Sequence, residues 1–317
     1  MSPTTIDVHG HVTSPELLAR LPMPPSLGDI DGMIAQKEAA GIGMTIVGSP
    51  VGAGTMVPVP GLDNYDQPAD KLEAFHDFVA ETVRKHPDSL RAYVYANPYG
   101  GDRQLERTAA RLAEDEFVGL IVNSSVRGRY LDEPAAEDFW ALAAEYRAPV
   151  LLHAPAEPVG SAGLRHVGLV EHVARPCDIT LGVAAILAAG WLDKYPDLAL
   201  IASTGGGALP LLAEKLDLAQ RRAGPPGSAE PTGPPFSAQL RRVYVDTATP
   251  SALGLAGALA TFGPDRLLFG TDSPPLTGPL ATALDRVAAL DAGPEVTGRI
   301  LTGNAARLFG LDGSADD

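Results

Sequence analysis

The chain of 317 residues has a single cysteine, Cys177, so no intrachain disulfide can form and nothing marks an oxidising compartment. Basic residues are scarce: 24 Lys and Arg stand against 39 Asp and Glu, a formal charge of −15. A nucleic acid or an anionic membrane would demand a basic surface, so neither is expected as a partner, and a small-molecule substrate is. No signal-like segment precedes the first strand, and no unbroken apolar stretch is long enough to span a bilayer. The nearest, residues 179–191, reads as a buried helix. A cytoplasmic location is expected from this. No Gly-x-Gly-x-x-Gly turn follows the first apolar run, which disfavours an open dinucleotide-binding sheet. Apart from a proline-rich loop at 224–235, low-complexity tracts and internal repeats are absent.

What the chain does have is alternation. Short β-branched runs lie at 5–11, 45–49, 92–97, 118–123, 149–153, 198–203, 242–247 and 266–271. Between them, segments such as 70–86, 102–114, 135–146, 180–195, 208–221 and 250–262 carry apolar residues at helical spacing. Eight strand–helix units predict an α/β fold of the closed, TIM-like (β/α)8 barrel type, with strands apolar on both faces. The length suits one domain over 1–311, with a frayed tail at 312–317.

Chemistry in such a barrel sits where strands end. The first strand ends in His9 and His11, two apart and therefore on one face, with Asp7 expected one layer below on that face. His153 closes another apolar strand, and Asp272 follows the last one. Three imidazoles and a carboxylate, with water in the open position, suit a catalytic zinc ion; manganese, iron or cobalt would fit the same donors. Other strand ends are Ser49, Asn97, Asn123, Thr204, and either Asp246 or Thr247. Arg127, Arg129 and Tyr130 follow the fourth strand, and Arg165 and His166 follow the fifth. Each arginine could clamp a substrate carboxylate, or could instead pair with loop acids such as Asp132 and Glu133. Phe139 and Trp140 read as helix packing. The long loop 51–65 could form a lid, with Asn64 and Tyr65 as further contacts, and glycines 205–207 could cradle an anion or allow tight packing.

These segments together resemble the amidohydrolase superfamily, in the branch containing aminocarboxymuconate-semialdehyde, 6-methylsalicylate and resorcylate decarboxylases. Asp7-Val8-His9-Gly10-His11 is similar to that branch's metal motif, and Gly128-Arg129-Tyr130-Leu131-Asp132-Glu133-Pro134 to the loop after its fourth strand. Pro149-Val150-Leu151-Leu152-His153 is similar to its fifth-strand ligand segment. Leu268-Phe269-Gly270-Thr271-Asp272-Ser273-Pro274 and Gly303-Asn304-Ala305-Ala306-Arg307-Leu308-Phe309 resemble its eighth strand and C-terminal helix. The resemblance implies one metal ion on His9, His11, His153 and Asp272, and an enzyme that is often a homodimer. Members with two metals bridge them with a modified lysine on a barrel strand, and none of the five lysines here ends a strand.

The departure is Thr204, in Ser203-Thr204-Gly205-Gly206-Gly207, where the family carries an acid–base histidine before its glycines. A threonine hydroxyl cannot titrate near neutrality. Asp272 could carry both ligation and proton transfer, His166 or His172 could supply the proton, or the parent chemistry could be lost. Non-oxidative decarboxylation of a small aromatic or unsaturated acid is expected ahead of hydrolysis of an amide, lactone or ester with Asp272 as base. A non-catalytic binding protein is the third reading.

Overall fold

The computed structural model describes residues 4–221, 233–276 and 278–312. Eight strands form one sheet: β1 (Thr5–His11), β2 (Ile42–Gly48), β3 (Leu90–Tyr95), β4 (Phe117–Asn123), β5 (Val150–His153), β6 (Leu200–Ala202), β7 (Tyr244–Asp246) and β8 (Leu267–Leu268). They lie in sequence order and every pairing is parallel. The ring closes through the backbone, with Val8 N–H donating to the Phe269 carbonyl at 2.9 Å and Asp272 N–H to the His9 carbonyl at 2.8 Å. This is the expected (β/α)8 barrel. Ile46, Val94, Leu120, Leu151 and Ile201 have no more than 1% of their surface exposed, as parallel strands covered on both faces require.

Helices α1 (Ile30–Ala39), α2 (Ala69–Lys85), α3 (Asp102–Leu112), α4 (Glu137–Glu145), α5 (Arg175–Ala189), α6 (Leu209–Arg221), α7 (Ala252–Phe262) and α8 (Leu280–Ala288) wrap the sheet. In α2 the buried positions Leu72, Phe75, Val79 and Val83 recur every three or four residues, so one stripe meets the barrel. Burying each such side chain contributes about 1.5–3 kcal/mol, and Val79→Asp would break the stripe. Asp29 caps α1 through Gly32 N–H, and Ser251 caps α7 through Gly254 N–H. Phe139 and Trp140 pack in the core as the sequence suggests.

Two local expectations change. The helix predicted from residue 180 starts earlier: a turn at Val167–Leu169 and a π-helical stretch at Val170–Ala174 run continuously into α5. The wider π turn accommodates Pro176, whose missing N–H reads in sequence as a break. The resulting 23-residue helix is long and apolar enough to cross a membrane by length and composition, which the run at 179–191 is not. It lies along the barrel, with Asp178, Ile179, Val183, Ile186 and Leu187 buried. In β1, a register shift between Asp7 and Gly10 inserts an extra residue against β2. Asp7 Oδ2 meets Lys37 Nζ at 2.6 Å, and a Cβ on Gly10 would lie 3.4 Å from that same nitrogen. Asp7 therefore shares the side of Gly10, not the face of His9 and His11. The proline-rich loop at 224–235 falls largely outside the described residues, as does the tail beyond Asp312.

Candidate metal centre

The strand ends bring His9, His11, His153 and Asp272 together, with one donor atom from each lying within 4.8 Å of all the others. The three imidazoles stand edge to face around a common point, their centroids 4.9, 5.2 and 5.1 Å apart. Each ring turns Nδ1 outward onto an acceptor. His9 Nδ1 donates to Asp246 Oδ2 at 2.6 Å, His153 Nδ1 to the Ala154 carbonyl at 2.8 Å, and His11 Nδ1 to the Gly48 carbonyl at 3.3 Å. Those bonds occupy Nδ1 and leave the three Nε2 atoms as the donors available to an ion. His11 Nε2 lies 3.0 Å from Asp272 Oδ1 and His9 Nε2 lies 3.6 Å from it.

Among the described residues, His9 Nε2 is a buried nitrogen with no hydrogen-bond partner. Leaving such an atom unsatisfied costs roughly 1–3 kcal/mol, which a divalent cation would remove. The donors fit one ion.

Protonation follows the same geometry. Burial works against charge on His9, but the Asp272 carboxylate and the hydrogen bond to Asp246 outweigh it and push its pKa up to about 9. Burial also opposes ionisation of Asp272, yet the charge on His9 and the bond from His11 hold it well below the usual carboxylate range. His153 is driven well below the ordinary histidine value by burial, then by His11 and His9. In the metal-free protein, negative Asp272 and positive His9 stand in for an ion and its ligand.

Supports behind the donors are equally specific. Asp246 Oδ1 accepts from Gly205 N–H at 2.9 Å and Ala248 N–H at 3.1 Å, which resolves the ambiguous end of β7 in favour of the aspartate. Asp7 accepts from His9 N–H (2.9 Å), Thr271 N–H (3.0 Å), Thr271 Oγ1 (2.6 Å) and Lys37 Nζ, so it ties the two ligand-bearing ends of the barrel together. Sequence offered no signal for Lys37, an interior helix position whose ammonium is buried on a carboxylate.

On the β6 side, Thr204 sits at φ +54°, a left-handed conformation that β-branched residues rarely adopt. The Thr204 and Ser203 hydroxyls are buried without partners. Gly205, Gly206 and Gly207 continue at φ +67°, +75° and +60°, and a Cβ on Gly207 would meet the Pro176 carbonyl at 2.2 Å. Tight packing, not an anion cradle, uses these glycines, since Gly205 N–H is committed to Asp246.

A cavity of about 850 Å³ opens above the donors, with His11, His153 and Asp272 in its wall. His172 and Arg175 line it too; Arg175 is a residue the sequence reading passed over. Other expected contacts lie elsewhere. Arg127 is exposed and pairs with Asp63, and Arg129 pairs with Glu133 while covering the Tyr99 ring. His166 is exposed and its Nδ1 accepts from Gly168 N–H. None of Arg127, Arg129, Tyr130, Arg165 or His166 lines the cavity. The loop expected as a lid is held by its own hydrogen bonds: Asn64 both accepts from Thr55 N–H and donates to the Thr55 carbonyl, and Gln67 donates to the carbonyls of Val51 and Asn64.

A family model described as Amidohydrolase matches residues 6–311. The chain belongs to the amidohydrolase family. A relative in this family, the 2-amino-3-carboxymuconate-6-semialdehyde decarboxylase of Dictyostelium discoideum, is 21% identical over 244 residues, 77% of this chain and 67% of its own length. In fold, the chain is similar to 5-carboxyvanillate decarboxylase from Sphingomonas paucimobilis, with TM-score 0.82 and 20% identity, covering 97% of this chain and 99% of that one. A dihydroxybenzoic acid decarboxylase from a Polaromonas species has TM-score 0.78 and 21% identity, covering 98% of this chain and 97% of that one. Its crystal contains manganese and the inhibitor 2-nitroresorcinol. As an amidohydrolase barrel with this donor set, the protein has a divalent-metal site.

Proposed function

We propose that the protein is a metal-dependent, non-oxidative decarboxylase of an aromatic carboxylic acid. The observation that carries the reading is the donor cluster of three histidine nitrogens and Asp272 at the base of a cavity with apolar walls, on a fold similar to aromatic acid decarboxylases. Manganese is the ion proposed, because the Polaromonas neighbour contains it; zinc was expected from the donors alone, which accept either. When bound, the ion supplies Lewis acidity toward a substrate carboxylate and an adjacent ring oxygen.

The chain's own residues do the rest. His9 is locked in orientation by Asp246, and Asp272 has a second oxygen left to hold a proton at the reacting carbon. The step breaks the bond from ring carbon to carboxylate and forms a carbon–hydrogen bond there, so one proton enters and carbon dioxide leaves. Thr204 is read as standing where relatives carry histidine; its unpartnered hydroxyl can hold a water or substrate oxygen but not deliver the proton. Of the two histidines considered as substitutes, His172 lines the cavity and His166 does not. Hydrolysis of an ester or lactone is the second reading, favoured only by the titratable Asp272 standing opposite a non-titratable Thr204.

The test is release of carbon dioxide from hydroxylated benzoates by manganese-loaded protein, run beside a panel of lactones and amides. Decarboxylation of at least one acid is expected, and hydrolysis with no decarboxylation would overturn the proposal. A homodimer in the cytoplasm is proposed as the working form. The exposed Val167, Leu169 and Val173 offer apolar surface for self-association, and light scattering of the purified chain would decide it.

A further inference from the structure

The cavity above the metal donors is much larger and more apolar than a hydroxylated benzoate requires. At about 850 Å³ it falls near the top of the range of roughly 300–1,000 Å³ that encloses drug-sized ligands. A single-ring acid held at His11, His153 and Asp272 would leave most of it unfilled. The wall beyond the donors is built from side chains such as Val12, Met23, Leu27, Val51, Met56 and Val170.

Several of its polar groups are spent on the protein itself, while Glu157 and His172 stand exposed in its lining. Ser49 Oγ accepts from Val51 N–H at 3.3 Å. Thr55 Oγ1 donates to the Pro22 carbonyl at 3.1 Å and accepts from Val57 N–H at 3.2 Å. The Arg175 guanidinium is paired with Glu171 and reaches the Met56 carbonyl at 3.4 Å, with its Nε left without a partner. Ring hydroxyls placed against the apolar part of this wall would lose water without gaining partners, whereas hydrocarbon would gain burial. The apolar surface continues outward: Val57, Leu164, Val167 and Leu276 line the cavity and are exposed at its rim.

From these observations we infer that the acid turned over carries a large apolar substituent, an alkyl chain of several carbons or a second unhydroxylated ring, directed away from the metal-bound carboxylate. The inference rests on the decarboxylase reading for the fate of the acid, but the cavity's preference for hydrocarbon stands independently of that fate.

The experiment is calorimetric binding of 2-hydroxybenzoates bearing hydrogen, propyl, pentyl or heptyl at ring positions 4 or 5 to manganese-loaded protein, with carbon dioxide release followed in parallel. In at least one of the two series, Kd should fall about fourfold per added methylene, the equivalent of ~0.8 kcal/mol, until the cavity is filled, and kcat/KM should rise with it. Val170→Asp and Leu276→Asp should each flatten that dependence; Leu276 is part-exposed, so the second variant guards against misfolding in the first. Equal or weaker binding of the heptyl acids in both series, or a gain with chain length that survives both substitutions, would overturn the inference. A chain-length gain with no carbon dioxide from any acid would uphold the inference and sink the decarboxylase reading. Turnover of the unsubstituted acid without any gain would do the reverse.

Discussion

The barrel mouth has two sides that treat their polar groups differently. Where β1, β5 and β8 end, every ligand imidazole is oriented by an acceptor on Nδ1, and behind β1 the Asp7 carboxylate takes four hydrogen bonds. The atom left without a partner there is His9 Nε2, where an ion would bind. Past the end of β6, by contrast, Ser203 and Thr204 bury hydroxyls with nothing to bond, and Thr204 holds an unfavourable backbone angle. The two sides are thus built to different standards: the donors on the first are oriented by hydrogen bonds, and the second presents a hydroxyl that cannot titrate near neutrality. Under the proposed decarboxylation, Asp272, which belongs to the satisfied side, would serve both metal binding and proton delivery.

That contrast can be broken experimentally, and the largest effect is expected at Asp272 itself. Asp272→Asn should eliminate turnover even at manganese concentrations that keep the site filled, as read by carbon dioxide release beside metal analysis. Turnover surviving in metal-loaded Asp272→Asn would remove the carboxylate from proton transfer. If His172 supplies the proton instead, His172→Ala will be as damaging as Asp272→Asn.

Next in size is Asp246→Asn, which keeps the shape but loses the charge that fixes the His9 tautomer. Manganese affinity should weaken about tenfold to a hundredfold by calorimetric titration. An unchanged Kd would make Asp246 a packing residue only. Thr204→Ala should lower kcat by about tenfold to a hundredfold, the scale of one hydrogen bond of roughly 1.4–2.8 kcal/mol to water or substrate. Thr204→His would introduce a titratable group and a side chain better tolerated at positive φ, so raised decarboxylation with unimpaired melting is its expected signature.

The smallest effect is on pH. His9 in the metal-free protein has its pKa raised from 6.5 to about 9, so the stability it lends is fully present below pH 6.5 and is lost as pH rises through about 9. The Tm of metal-free protein should therefore fall between pH 6.5 and 9. Over the same window manganese affinity should rise, because the ion no longer has to displace a proton. A Tm that climbs across that range would contradict the ion pair between His9 and Asp272.

How much of this could be read in the sequence follows from the same two sides. His9, His11, His153 and Asp272 were legible because each lies at or just past the end of a clear apolar run, and a parallel barrel delivers all such ends to one mouth. Asp246 could not be separated from Thr247, since which of two neighbours faces inward depends on a register that only the folded sheet fixes. Lys37 was invisible because its partner Asp7 reaches it through a bulge that reverses the expected facing of β1. Arg127 and Arg129 take the alternative reading, as paired loop charges, with Arg129 on the expected Glu133. Loop paths are set by contacts far apart in sequence, and Asp63, distant in the chain, captures Arg127. Arg175, hidden in a helix whose start was obscured by Pro176, reached the cavity instead.

The most direct test of the preorganised side is manganese titration of metal-free wild type against a His9→Ala, His11→Ala double variant at pH 9, where the proton on His9 competes least. One ion per chain in the wild type and none in the variant is the expected result. No binding to the wild type, or equal binding by the variant, would contradict the assignment of His9, His11, His153 and Asp272 as the site of a single divalent ion.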